Sequence, residues 1–321
     1  MKKILIVGAI PPPIGGVSIH LERVLNWMKL KDYKFSFCST QDGHVANIIK
    51  SSKGHQVIHL HISNSKLRVL LIFILRFILN KKVIITVHGK IGKHKGFIDY
   101  NLDKIALSIV NVPILLNNAT FELSQKINSK SVIFTPFIPP CNKTLDLPLN
   151  LKNKLDEFLV NSSQVFCTNA SSLAYDQTGN EIYGITNLVK IFSEFNEGKK
   201  LIISDPTSEN FEHCKNNLKI SKNIFFINQP HNFSGIIDLS HCFIRATTTD
   251  GDSLSVKESL HFNTPVIASN CIERPESVIT YPSQDYNSLK AVILDFKTFT
   301  PVVNLRNGIE DLEIFYDDNL K

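Results

Sequence analysis

Three segments of the 321-residue chain combine residue types and spacings that could do chemistry, and the richest runs Arg245-Ala246-Thr247-Thr248-Thr249-Asp250-Gly251-Asp252-Ser253-Leu254-Ser255-Val256-Lys257-Glu258. An apolar strand, CFIRAT, leads into an acidic loop that holds a glycine, and a helix bearing Glu258 follows. On one helix, eight positions separate Asp250 and Glu258 by about 12 Å, so the two carboxylates cannot act as neighbours there. With Asp250 in the loop and Glu258 near the helix start, both can face one elongated ligand. The helix terminus between them can meet a diphosphate. Ser255-Val256-Lys257-Glu258 also fits a capping box, in which Glu258 serves only backbone N–H groups.

The second segment is Pro11-Pro12-Pro13-Ile14-Gly15-Gly16-Val17-Ser18, between a first strand and a first helix. Gly15 and Gly16 let backbone approach a ligand, and the helix start offers unpaired N–H groups to a phosphate. The pair is neither GxGxxG nor a P-loop with its Lys, so a plain strand-to-helix turn is the alternative. The third is His88-Gly89, closing VIITVHG where an open α/β sheet keeps functional side chains. His20, four residues after Gly16, can face the same place. His59 and His61 alternate on one strand without carboxylate or Cys companions, so no metal site is expected.

Regular alternation of strands and helices must position these groups. KILIVGA, a helix over 17–29, KFSFCS, QVIHLHI, a helix over 67–79, VIITVHG and NVPILL follow one another. After the Pro-rich TPFIPPCNKTLDLP the rhythm restarts with QVFCTNA, a helix over 185–195, KKLIISD, a helix over 209–218, NIFFIN, CFIRAT and PVIAS. Short β-branched runs alternating with helices predict parallel strands with crossover helices. The α/β reading is therefore two doubly wound domains, residues 1–155 and 156–321, joined near 144–161. Length agrees, since about 150 residues make one domain.

Composition removes other classes. With 43% hydrophobic and 20% charged residues the chain is neither disordered nor collagen-like. The six cysteines form no CxxC and read as reduced, buried hydrophobes. MKKILIVGAIPPP reads as a strand rather than a signal peptide. The apolar run from Leu67 to Leu79 is thirteen residues long and contains Arg68 and Arg76, short of the ~20 that span a bilayer. A cytoplasmic protein, peripheral on a membrane at most, is expected.

The net charge of +6 is unevenly spread: residues 1–150 hold 20 Lys and Arg against 7 Asp and Glu, the remainder 15 against 22. A basic half points to phosphates. Lys81, Lys82, Lys90, Lys93 and Lys95 cluster by the strand ending at His88, near the apolar 67–79 segment. That helix is expected to pack under its sheet, with contact to an anionic leaflet as its functional alternative. No nucleic-acid-binding motif or aromatic interleaving is present, so nucleic acid is not an expected partner.

Taken together, the Gly15-Gly16 loop with His20, the VIITVHG strand end, the acid-x7-Glu run from Asp250 to Glu258, NTPVIAS and Arg274-Pro275-Glu276 resemble the family 4 glycosyltransferases of the GT-B fold, which build bacterial surface polysaccharides. The resemblance covers most of the chain. It implies two Rossmann-like domains facing across a cleft, the second holding a nucleotide-sugar and the first an acceptor, with a final helix that returns to the first domain. It implies retention of anomeric configuration, no bound metal or other cofactor, a UDP-linked donor and a lipid-linked saccharide acceptor. By position, Glu258 would accept hydrogen bonds from the donor ribose and Asp250 would contact sugar hydroxyls. Gly16 would lie against the phosphates and His88 near the transferring sugar. Gly251, Ser253, Leu254, Ser255 and Lys257 would surround the diphosphate. No carboxylate nucleophile is evident, so front-face attack assisted by the leaving phosphate is the implied mechanism.

One departure bears on function. Relatives carry an Arg and a Lys where this chain reads Asn169-Ala170-Ser171-Ser172-Leu173-Ala174-Tyr175 through Tyr183-Gly184-Ile185, and neither base is present. A diphosphate needs compensating charge in a water-poor site. Arg245 is the first candidate, with Lys257 and Arg274 beside it, and a structural ion pair is the alternative use of Arg245. A non-catalytic binding protein of the same fold, or a nucleotide-sugar epimerase, are the rival readings.

Overall fold

A computed structural model describes residues 3–11, 16–41, 45–89, 91, 96–140, 144–250, 253–302 and 305–320. The chain divides into two compact units, Met1–Cys141 with Arg306–Lys321, and Asn142–Leu305.

In the first unit β1 (Ile4–Gly8), β2 (Phe35–Ser39), β3 (Val57–His61), β4 (Lys82–Val87), β5 (Val112–Leu115) and β6 (Val132–Ile133) form one parallel sheet in the order β2-β1-β3-β4-β5-β6. The helices between them are α1 (Gly16–Leu30), α2 (Val45–Ser52), α3 (Ser65–Phe73), α4 (Phe97–Ile109) and α5 (Asn118–Gln125). Asn64 and Asn117 start α3 and α5 by accepting from the N–H of Leu67 and Thr120 at 3.0 and 2.9 Å. Every residue of β1, β3 and β5 is buried, as strands covered on both faces must be. The last helix, α12 (Gly308–Leu320), adds Leu312, Phe315 and Tyr316 to the core that α1 builds on one face.

The apolar 67–79 segment divides its residues between core and surface. α3 continues into a π-helical turn, Ile74–Ile78. Leu71, Ile72 and Leu75 pack under the sheet as expected, while Leu70, Phe73, Phe77 and Ile78 stay outside, Phe77 56% and Ile78 64% exposed. The arginines do not ring that face with charge. Arg68 is buried against Asp103 of α4 at 3.3 Å and donates to the carbonyls of Ile62 and Ser63, while Arg76 donates to the carbonyl of Ile109.

The second unit contains β7 (Gln164–Asn169), β8 (Lys199–Ser204), β9 (Ile224–Ile227), β10 (Cys242–Arg245), β11 (Val266–Ser269) and β12 (Ile279–Tyr281), parallel and ordered β12-β11-β10-β7-β8-β9. Numbered within the unit this is 3-2-1-4-5-6, the doubly wound dinucleotide-fold order. Helices α6 (Leu149–Leu159), α7 (Ile185–Ser193), α8 (Glu209–Asn217), α9 (Phe233–Asp238), α10 (Leu254–His261) and α11 (Tyr286–Asp295) complete it. Two apolar cores line the sheet faces: Phe166, Leu188, Phe192, Ile203 and Leu289 on one, Leu155, Phe243, Val256, Leu260 and Val266 on the other. Cys167, Cys214 and Cys242 are buried free thiols. No helix of the described residues is long and apolar enough to cross a membrane.

Candidate functional site

In doubly wound sheets ligands lie outside the strands' carboxyl ends, where strand order reverses. In the second unit that point lies between β7 and β10. Asn169 ends β7, Arg245 ends β10, and α10 begins at Leu254. Asn169 donates from Nδ2 to Ser255 Oγ at 3.0 Å and accepts from Arg245 at 3.4 Å, so one amide ties both strand ends to the helix start. The guanidinium of Arg245 lies 5.3 Å over the Tyr183 ring, whose hydroxyl is 2.7 Å from Ser171 Oγ. The segment that lacks the two expected bases thus supplies an amide and an aromatic face to the arginine of the neighbouring strand.

Asp250 and Arg245 are brought into direct contact. Arg245 donates to both carboxylate oxygens at 3.1 and 3.0 Å, and Arg274 donates to Oδ2 at 3.0 Å. Burial alone would push the Asp250 carboxyl upward, but the hydrogen bond and charge of Arg245, joined by Arg274, hold it below the ordinary carboxylate range. Two guanidiniums around one carboxylate leave the trio with a surplus of one positive charge beside α10. Arg274 is fixed further by donating to the carbonyl of Ser269 at 3.0 Å.

The geometry of α10 also settles the capping-box alternative. The N-cap is Ser253, so Ser255 is the second helical residue and Glu258 lies in the second turn, beyond reach of a capping role at Ser255. Glu258 is buried at 6% exposure, and Lys257 is partly buried. Buried glutamates are uncommon and are held by partners or ligands. Gly15 and Gly251 lie outside the described residues, as do Lys90, Lys93 and Lys95, while Gly16 is exposed as the first residue of α1.

In the first unit strand order reverses beside β1, and a histidine cluster occupies the ends of β1, β3 and β4. His88 follows β4, His61 ends β3 and His20 projects from α1. His61 Nδ1 is 3.0 Å from His88 Nε2, and the His20 and His88 rings meet edge to face at 4.9 Å. His20 Nδ1 is 3.1 Å from the carbonyl of Pro136. Gly8 permits this approach, because a Cβ there would stand 3.0 Å from the Cβ of His61 and 2.4 Å from Leu21. His59 and His61 do alternate on one strand, β3, and the partners of His61 lie on other elements, which leaves no mark in sequence spacing.

Burial lowers all four histidine pKa values, His20 to about 4 and His59 to about 3, with neighbouring positive charge adding to the effect. His61 and His88 are lowered as well, by burial first and then by the surrounding imidazoles. The folded chain keeps these rings neutral, whereas the unfolded chain protonates them below about 6.5. The unfolded state then binds more protons, so their contribution is intact above that pH and is lost as pH falls. Urea titrations in EDTA-containing buffer should show stability dropping as pH falls from 6.5 toward 4, the direction expected of imidazoles kept neutral by burial. A stability flat across that window would contradict it.

No protein-family model matches the sequence, and no curated protein matches it. Solved structures do. HepE of Anabaena, in complex with UDP and glucose, superposes with a TM-score of 0.64 at 10% identity, over 91% of this chain and 89% of that one. The chain has the GT-B fold. A glycosyltransferase from Rickettsia africae ESF-5 gives a TM-score of 0.61 at 16% identity, over 91% and 87%. Trehalose-6-phosphate synthase OtsA gives 0.60 at 11%, over 93% and 92%. In GT-B terms the Asn169–Arg245–Asp250–α10 constellation lies at the switch point of the second Rossmann-like unit.

Proposed function

We propose that the chain is a retaining glycosyltransferase of the family 4 type that moves a hexosyl or N-acetylhexosaminyl group from a UDP-sugar to a lipid-linked saccharide in surface polysaccharide assembly. The observation that carries this reading is the second unit's switch point, where a helix start, the buried Glu258 and a cationic surplus stand together. That is the equipment a nucleoside diphosphate requires. HepE, similar in fold, binds UDP and UDP-glucose. Glu258 takes the ribose hydroxyls, and the N–H groups of Leu254 and Ser255 meet the diphosphate. Arg245 and Arg274 supply the charge that the missing Arg and Lys would have given. The acceptor hydroxyl attacks the anomeric carbon on the face that UDP leaves. The sugar–phosphate C–O bond breaks, the new glycosidic bond forms, and the hydroxyl proton passes to the departing phosphate oxygen. This step uses no metal, because fixed donors at α10 stabilise the developing charge.

The exposed face of Leu70, Phe73, Phe77 and Ile78, with Lys66 exposed nearby, is suited to an anionic bilayer surface where a lipid-linked acceptor resides. A binding protein of the same fold is the second reading, favoured by the engagement of both arginines with Asp250. Thermal-shift and transfer assays against UDP-, GDP-, dTDP- and CMP-sugars decide between them, with EDTA and with a lipid-diphosphate sugar acceptor in anionic vesicles. The expected result is stabilisation by UDP-sugars, EDTA-insensitive transfer, and vesicle binding that Phe73→Asp with Phe77→Asp removes. A folded protein unresponsive to the whole panel would be a binding module.

A further inference from the structure

One ring nitrogen from each of His20, His61 and His88 lies within 4.8 Å of the other two. Three elements of the first unit contribute them, and the cluster is buried except at His88, which is partly exposed. Its hydrogen bonding separates it from a core of satisfied imidazoles. His59, directly beside it, uses both nitrogens, Nδ1 with the Tyr316 hydroxyl at 2.6 Å and Nε2 with Thr86 Oγ1 at 2.8 Å. His61 is different: Nδ1 meets His88, while Nε2 is buried with no hydrogen-bond partner. The single hydrogen bond of the His61 ring therefore runs to another member of the cluster, and among the described residues nothing outside the cluster fixes Nδ1, the nitrogen that faces His88.

His20 supplies a second, independent sign. A carbonyl oxygen only accepts, so the contact with Pro136 puts the ring proton on Nδ1 and leaves the lone pair on Nε2. A backbone carbonyl holding the far N–H is how proteins orient an imidazole for metal ligation. Imidazole donors without carboxylates favour Zn2+, Ni2+ or Cu2+ over Mg2+ or Ca2+.

We propose that His20, His61 and His88 form a three-imidazole site for a divalent transition cation of the Zn2+ class, with the fourth position open at the His88 side to water or an anionic ligand. Around a tetrahedral ion with Zn–N bonds of about 2.0–2.1 Å, ligand nitrogens stand about 3.3 Å apart, so modest ring movements suffice. The pair His61–His88 is already at 3.0 Å. The proton they share moves to the far nitrogen of its ring by tautomer exchange, and the cation replaces that hydrogen bond. His59 stays outside the ligand set, bonded to Tyr316 and Thr86. The site does not rest on the glycosyltransferase reading, and a transfer step without metal is compatible with it, because the donor diphosphate is assigned to the second unit.

The test uses the full chain stripped with chelator and titrated with Zn2+ by calorimetry, and separately loaded with Co2+. The expected result is one Zn2+ per chain, an unfolding midpoint that rises with Zn2+ concentration, and the intense visible bands of four-coordinate Co2+. His61→Ala should weaken Zn2+ binding at least about tenfold, in line with losses seen when metal sites are altered. Should His61→Ala fail to fold, the Co2+ spectrum of the parent decides. A weak six-coordinate Co2+ spectrum, or Zn2+ binding unchanged in folded His61→Ala, overturns the site. Because no nucleotide-sugar is present, its failure is distinguishable from failure of the proposed transfer activity.

Discussion

Replacing Glu258 with alanine is expected to lower kcat/KM for sugar transfer by about 10²- to 10⁴-fold while the protein stays folded. A carboxylate is an acceptor-only group with room for two hydroxyl donors, which suits the vicinal hydroxyls of a ribose. Hydrogen bonds to charged groups contribute about 1.5–3 kcal/mol each, and 1.4 kcal/mol is a factor of ten, so losing two gives the stated range. Glu258 is placed for this by α10, whose Val256 and Leu260 are anchored in the core under β10 and β11. Glu258→Gln keeps the shape and one acceptor, and should fall between parent and alanine variant. The split between constants is informative. If the ribose contact forms equally in ground and transition states, the loss appears in KM; if it aligns the leaving diphosphate, it appears in kcat. Transfer at the parent rate by folded Glu258→Ala would remove Glu258 from the site.

The fold was legible because parallel strands buried on both faces must be short apolar runs, and crossover helices must lie between them. The helix expected over 17–29 is α1, Gly16–Leu30, and that expected over 185–195 is α7, Ile185–Ser193. The 67–79 segment was legible only in part. Its apolar run predicted a helix, but the turn of Arg68 toward Asp103, 35 positions away, and the π-helical turn at Ile74–Ile78 decide which apolar residues reach the surface. The candidate site divides in the same way. Asp250, Glu258 and Arg245 share one local segment, so spacing revealed them as a group. Their pairing was not visible, since the second arginine on Asp250 arrives from beyond β11 and the amide on Arg245 from the end of β7. The histidine cluster is the extreme case. His20, His61 and His88 are 41 and 27 positions apart, and only the order β1-β3-β4 makes them neighbours.

Asp250→Ala should be the most destabilising substitution in the second unit's site, by about 3–5 kcal/mol, because it removes the shared partner of one buried guanidinium, Arg274, and one partly buried guanidinium, Arg245. Arg274 is held by Ser269 and Arg245 by Tyr183 and Asn169, so neither can swing out to water without giving up those contacts. In a domain of this size the loss corresponds to a fall of about 6–20 °C in the midpoint of the unit's unfolding step. Asp250→Asn should lose less, since an amide oxygen still accepts from one arginine. Combining Asp250→Ala with Arg274→Met should recover part of the loss, because the second change removes one of the two uncompensated charges; the excess over additivity measures their coupling. Added pyrophosphate gives the sharpest readout. In the parent, Asp250 competes with an anion for both guanidiniums, whereas in Asp250→Ala an anion is their natural partner. Pyrophosphate should therefore raise the variant's midpoint more than the parent's. An equal or smaller rise would mean that the two arginines do not face the anion site and serve only to brace the loop between β10 and α10.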